Sequence, residues 1–167
     1  MPKLQGDYLE LRPLPEDHLP ALLKIYQGTP LYFDGLGYDV RRLTLADVRA
    51  QWRAAQDAPG GTLLGIYHIE ADLLIGVADV QRGAPHPDTA AIRLLLIWGG
   101  FQRQGYGQEC MGLLEPWLLA EPSASVLWAT ATANEEGLSF LRLQGFQATE
   151  EPATAPIGEG RAFWMRR

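Results

Sequence analysis

Apolar residues in this chain recur with two different periods, and the switches between them lay out its elements. Tyr8-Leu9-Glu10-Leu11-Arg12 alternates apolar and polar, as a half-buried strand does, and Pro13 and Pro15 end it. Behind the acidic pair Glu16-Asp17, Leu19, Leu22, Leu23 and Tyr26 follow at helical spacing. Pro20 is tolerable only in a first turn, so the regular helix is expected to begin near Asp17 to Leu19 and to close at Gly28. Residues 29–38, with Tyr32, Phe33 and Asp34 set among Gly and Pro, read as a loop. Thr44 suits an N-cap with Asp47 three residues on, and Leu45, Val48 and Trp52 make the buried stripe of a second helix. Ala58-Pro59-Gly60-Gly61 stops it.

Two strands, 62–70 and 73–81, then form a hairpin about Ala71-Asp72, and 83–87 connects them to a long strand over about 89–98. The helix after it carries Cys110, Met111, Leu114, Trp117 and Leu118 on one side, with Pro116 expected to kink it by deleting the bond to the Gly112 carbonyl. A strand at 126–133, a short helix at 135–144 ended by Gly145, and strands at 146–150 and 160–166 complete the chain, the last two joined by a Pro-containing loop read as mobile. No repeat, linker or low-complexity tract interrupts residues 1–167, which read as a single α/β (α+β) domain. Its sheet is expected to be mixed and mostly antiparallel, of about seven strands flanked by about four helices.

The stretch Ile92 to Gln108 organises the rest. A buried strand breaks at Gly99-Gly100, and a second glycine pair, Gly105 and Gly107, leads into a helix. Strand, glycine turn and helix start aim several backbone N–H groups at one point, with about half a positive charge from the helix. Such a place holds a phosphate or pyrophosphate without a basic side chain, and Arg103 stands beside it. The spacing is neither that of a dinucleotide-binding loop nor that of a nucleoside-triphosphatase loop.

Composition narrows the partners. The chain has 167 residues, 47% hydrophobic and 20% charged, ordinary for one globular domain. A net charge of -6 gives nucleic-acid binding no support and mildly favours a cationic or amine ligand. Cys110 is the single cysteine, so no intrachain disulfide forms, a cytoplasmic setting fits, and the thiol reads as core packing. No stretch reaches the roughly 20 apolar residues of a membrane span, and the N-terminus lacks a signal-peptide pattern. No metal site is expected.

Gln102-x-x-Gly105-x-Gly107 after a buried strand resembles the coenzyme A pyrophosphate loop of the GNAT superfamily of N-acetyltransferases. The element order resembles that fold too, as do Asn134 after the 126–133 strand and Leu143-Gln144-Gly145-Phe146 at the end of the last helix. Leu9-Glu10-Leu11-Arg12-Pro13-Leu14 followed by Glu16-Asp17 is similar to the opening of the branch that contains the ribosomal-protein N-terminal acetyltransferases. The resemblance implies acetyl-coenzyme A as donor and an amine acceptor, either a protein N-terminus or a small molecule, acetylated by direct attack in a ternary complex. It implies backbone contacts from Leu95 and Ile97 to the pantetheine arm, and a pyrophosphate held by Gln102, Arg103, Gln104, Gly105, Tyr106 and Gly107. Asn134 would contact the pantetheine or the amine, or simply cap its helix; the two roles are compatible.

The family pattern also has departures. Its Tyr acid is replaced by Leu141 beside Phe140, its Ser by Gly137 with Ser139 slightly later, and its strand Glu by Ala91. Asn134 and Ser139 are therefore the catalytic candidates, with Asp79, Glu70, His68, Asp34 or a water as base. Trp98, Phe101, Tyr32 and Phe33 are candidates to wall an acceptor pocket. Arg93, a charge among Leu and Ile, either pairs with a neighbouring carboxylate or anchors substrate. A module that holds an acyl-coenzyme A without turnover is the alternative function, and both monomer and homodimer are open.

Overall fold

The computed structural model describes residues 3–120, 124 and 126–167. Eight strands form one sheet in the order β1-β2-β3-β4-β5-β6-β8-β7: β1 Leu4–Gln5, β2 Leu9–Pro13, β3 Gly61–His68, β4 Leu73–Arg82, β5 Thr89–Ile97, β6 Val126–Ala131, β7 Gln147–Ala153 and β8 Ala162–Arg166. Every neighbouring pair is antiparallel except β5 and β6, which are joined by a helical crossover. The five helices are α1 Leu19–Gln27, α2 Pro30–Leu36, α3 Leu45–Asp57, α4 Tyr106–Leu118 and α5 Glu135–Leu143.

Helix starts follow local chemistry. Thr44 and Asp47 make a reciprocal capping box at α3. Asn134 Oδ1 accepts from the Glu136 and Gly137 N–H groups at α5. Pro20 and Pro30 sit in first turns, where an N–H is not missed. Pro116 falls in the last turn of α4, close to where that helix ends anyway.

The sheet separates two cores. Cys110, Met111, Leu114 and Leu118 of α4 and Leu138 of α5 pack on one face against Ala90, Ile92, Ala129 and Ala131. Burial pushes the Cys110 thiol up, so it stays an inert packing group. Leu22 and Tyr26 of α1, Phe33 of α2 and Val48 of α3 cover the other face over Val77, Leu94 and Leu96. On the α4 side Glu109 in the first turn of that helix accepts the Tyr8 and Leu9 N–H groups at 2.9 and 3.1 Å, pinning the start of β2.

Three expectations change. Residues 29–38 are not a loop: Pro30–Leu36 is a short helix, with Phe33 and Leu36 buried three positions apart and Gly37 ending it at φ 70°. Phe33 consequently lies in the core edge-on to Tyr26 rather than in a pocket wall. The two-residue β1 brings the sheet to eight strands, and β7 continues to Ala153, shortening the loop expected after 150.

Candidate active site

The site begins with one surplus residue. Val80 of β4 lies opposite Ile92, and the next residue back, Asp79, lies opposite Leu94, so Arg93 is a bulge. Ala90 and Ile92 face α4, whereas beyond the bulge Leu94 and Leu96 face α1–α3. The same place ends the pairing of β5 with β6, whose last partners are Ile92 and Ala129. From there β5 follows β4 and the two parallel strands part. Trp98 N donates to Ile75 O at 2.7 Å, and strand alternation then turns the backbone groups of Leu95 and Ile97 away from β4, into the opening.

A cleft of about 720 Å³ fills that opening. Leu95, Ile97, Gln102, Arg103, Gly105, Gly107, Asn134 and Ser139, eight of the expected site residues, line it. Gln104 and Tyr106 do not: Gln104 bonds back to the Gly100 carbonyl, and Tyr106 turns to His68 on the far side of the helix start. Thr29, Leu31 and Tyr32 from the α1–α2 corner, with Phe101, form the other wall. Trp98 is not among the lining residues; its indole lies against Gly28.

The glycine loop opens with a 3₁₀ turn at Gly99–Phe101 and passes through two left-handed residues, Arg103 at φ 60° and Gly105 at φ 86°. Gly105 is the N-cap of α4 and supplies no side-chain oxygen, so the N–H groups of the first turn stay open and carry the positive end of the helix. A Cβ on Gly107 would come within 3.2 Å of the Phe140 ring, so any larger residue there would press that ring aside by a few tenths of an ångström. Gln102 Nε2 donates to the Ile97 carbonyl at 2.7 Å, tying loop to strand. The Arg103 guanidinium pairs at 2.6 Å with Glu136 in the first turn of α5.

On the opposite wall Asn134 lines the cleft and uses its Oδ1 as the cap of α5. Ser139 is exposed in the cleft, whereas Leu141 packs toward the α4–α5 core.

The four candidate bases are not together. Asp34 is exposed on α2 and lines a separate surface pocket with Tyr38 and Arg41. Glu70 lies in the β3–β4 turn. His68 is buried: its Nδ1 accepts the Ala71 N–H at 3.1 Å, which leaves Nε2 to donate to the Tyr106 hydroxyl at 3.0 Å. Asp79 is 1% exposed on the α1–α3 face; one oxygen accepts from Gln51 Nε2 at 3.3 Å, and Oδ1 lies 3.9 Å from Arg93. Burial holds the Asp79 carboxyl above the ordinary range, with Arg93 and Gln51 opposing. Arg93 thus does find a neighbouring carboxylate.

Sequence reasoning missed Glu136 and Phe140. Glu136 carried a signal, an acidic residue two past an Asn cap; Phe140 faces Gly107 through tertiary packing alone.

Among the described residues no helix is long and apolar enough to cross a membrane, and no group of three His, Cys, Asp or Glu side chains is placed to hold a metal ion. No curated protein matches the sequence. Among solved structures, an acetyltransferase from Thermus thermophilus is 23% identical with a TM-score of 0.77, over 96% of this chain and 97% of that one. A ribosomal L7/L12 alpha-N-protein acetyltransferase in complex with coenzyme A is 16% identical, TM-score 0.74, over 99% and 97%. A GNAT-family acetyltransferase from Bacillus anthracis is 13% identical, TM-score 0.71, over 99% and 97%. These likenesses establish the fold. Residues 21–146 match the acetyltransferase (GNAT) family itself, and the chain belongs to that family of acetyl-coenzyme A-dependent N-acetyltransferases.

Proposed function

We propose that the enzyme moves the acetyl group to a primary amine, on a protein N-terminus or a small molecule, in a ternary complex. The observation that carries this reading is the parting of β5 and β6 beyond Ile92 and Ala129, directly opposite the uncapped start of α4. An extended pantetheine arm fits the opened strand edge at Leu95 and Ile97, and a pyrophosphate fits the N–H groups between Gln102 and Gly107. The acetyl-coenzyme A supplies an activated thioester. The amine reaches it from the α1–α2 wall, its nitrogen bonds to the carbonyl carbon, the C–S bond breaks, and the amine gives up a proton as the thiolate leaves.

Asn134 Nδ2 is a side-chain donor on the cleft wall, suited to hold a pantetheine carbonyl or the incoming amine. Ser139 is the exposed hydroxyl further along the same helix. Alignment carries most of the rate: oriented reactants recover roughly 7–11 kcal/mol of barrier, against about 10²–10⁴-fold from proton transfer.

The test is acetyl-coenzyme A binding followed by melting temperature, together with thiol release across an amine panel. Gly105→Glu puts a carboxylate where the pyrophosphate belongs and should abolish the thermal shift. A variant that still binds as the wild type does would remove the loop from the cofactor site.

A further inference from the structure

The bulge arginine belongs to a row of polar side chains that the cofactor reading does not use. Leu127, Ala129 and Ala131 of β6 face α4, so Trp128 and Thr130 face the α1–α3 side, as Arg93 does. The last β5–β6 partners are Ile92 and Ala129, which makes Arg93 and Thr130 neighbours at the root of the opening. Asp79 of β4 lies on the other flank of Arg93, and Tyr32 of α2, which lines the cleft, lies near both. The Tyr32 hydroxyl lies within electrostatic reach of both charges: burial and then Asp79 push its pKa up, and Arg93 opposes them.

This row is under-satisfied. Among the described residues Asp79 Oδ1, the Tyr32 hydroxyl and Thr130 Oγ1 are buried without a hydrogen-bond partner, as is Nε1 of Trp128, whose ring lies against His86 and Trp164. Arg93 has five N–H donors and one long contact, at 3.9 Å, with its side chain 22% exposed. Buried polar atoms are ordinarily paired, so unpaired ones gathered at one place mark what a ligand brings. The groups on offer are one anionic acceptor, Asp79, beside a cation and several neutral donors.

Resting on the amine-acceptor reading above, we infer that this row receives a small amine that also carries a carboxylate, an amino acid, with its amine toward Asp79 and its carboxylate on Arg93, Thr130 and Tyr32. Asp79 and Arg93 are adjacent, which matches an ammonium and a carboxylate on neighbouring carbons. A half-buried guanidinium selects a charged oxygen pair over a neutral carbonyl, because only the former balances its charge. Such a zwitterion has no net charge, so the acidic surface of the protein neither steers nor repels it.

The test compares free amino acids with their amides, with the corresponding decarboxylated amines, and with peptides that begin with the same residue, by thiol release from acetyl-coenzyme A. The free acid should be preferred about ten- to hundredfold in kcat/KM, the worth of one charge-assisted contact. Arg93→Gln should erase that preference while the acetyl-coenzyme A thermal shift persists, which reports an intact fold. Thr130→Val, nearly isosteric, should raise KM for the amino acid and leave KM for acetyl-coenzyme A unchanged. Amides, amines or peptides acetylated as well as the acid would overturn this inference alone. Acetyl-coenzyme A binding with no thiol release for any amine would overturn the amine reading, and this inference with it.

Discussion

Arg103 and Glu136 form an ion pair at 2.6 Å between the two helix starts that border the cleft, α4 and α5. Both side chains are well exposed, so the pair contributes little to folding. Its interest is competitive, because the guanidinium held by Glu136 stands at the place proposed for the pyrophosphate. Glu136→Gln should release Arg103 and tighten coenzyme A binding by about two- to fivefold at low salt, with a gain that fades as ionic strength rises. Calorimetric titration at two salt concentrations measures it. Weaker binding in the variant would mean that Glu136 holds the arginine in its working position instead.

Gly107→Ala places a methyl 3.2 Å from the Phe140 ring. Phe140 can turn only by disturbing the lining of the cleft, so affinity for coenzyme A should fall while the melting temperature without ligand changes by a few degrees at most. Binding unchanged within error would show that α4 and α5 can separate freely at this point.

Ser139→Ala should lower kcat modestly, less than about tenfold, if the thiolate leaves without a strong acid. A coenzyme A thiol resembles a cysteine thiol, with a pKa near ~8.5, and departs readily. The pH–rate curve should then rise on a single limb. A falling basic limb that disappears in Ser139→Ala would make this serine, or a group it orients, the acid. Leu141→Tyr is no rescue, since position 141 packs into the α4–α5 core.

Asp79→Asn tests the buried carboxyl through stability. Its folded pKa is raised by burial, so the folded protein keeps this proton above the ordinary carboxylate value, about 3.9, where the unfolded chain has already lost it. Stability from the protonated form is complete below that value and declines as pH rises through the window up to the raised folded pKa. Asparagine has no such decline. The urea midpoint of the variant relative to wild type should therefore climb as pH rises above about 4, the ordinary carboxylate value, and a flat difference would mean that the carboxyl is not perturbed.

The strands at 62–70, 73–81 and 89–98 and the caps at Thr44 and Asn134 were legible because each is written in neighbouring residues. α2 was not. Its Gly35 and two flanking glycines resemble a loop, and what makes it a helix is the burial of Phe33 and Leu36 against elements distant in sequence. Gly35 itself is required by tertiary approach, since a Cβ there would meet Thr132 Oγ1 at 2.5 Å. The position of the glycine loop could be read, but not which of its side chains enter the cleft. Gln104 and Tyr106 point elsewhere for reasons set by the Gly100 carbonyl and His68. The Arg103–Glu136 pair spans helices from different parts of the chain and has no local signature.

The bulge at Arg93 works as a phase shift in the strand. Leu94, Leu95, Leu96 and Ile97 are all aliphatic, so either face of β5 could be buried with nearly the same apolar gain. Deleting Arg93 would put Leu94 directly after Ile92, leave those four residues on the faces they already occupy, and let β5 run in step with β4 and onward along β6. Hydrophobic burial would hardly register the change, and the sheet would become more regular. The slot proposed for the acetyl donor exists because this strand is one residue too long for its neighbours.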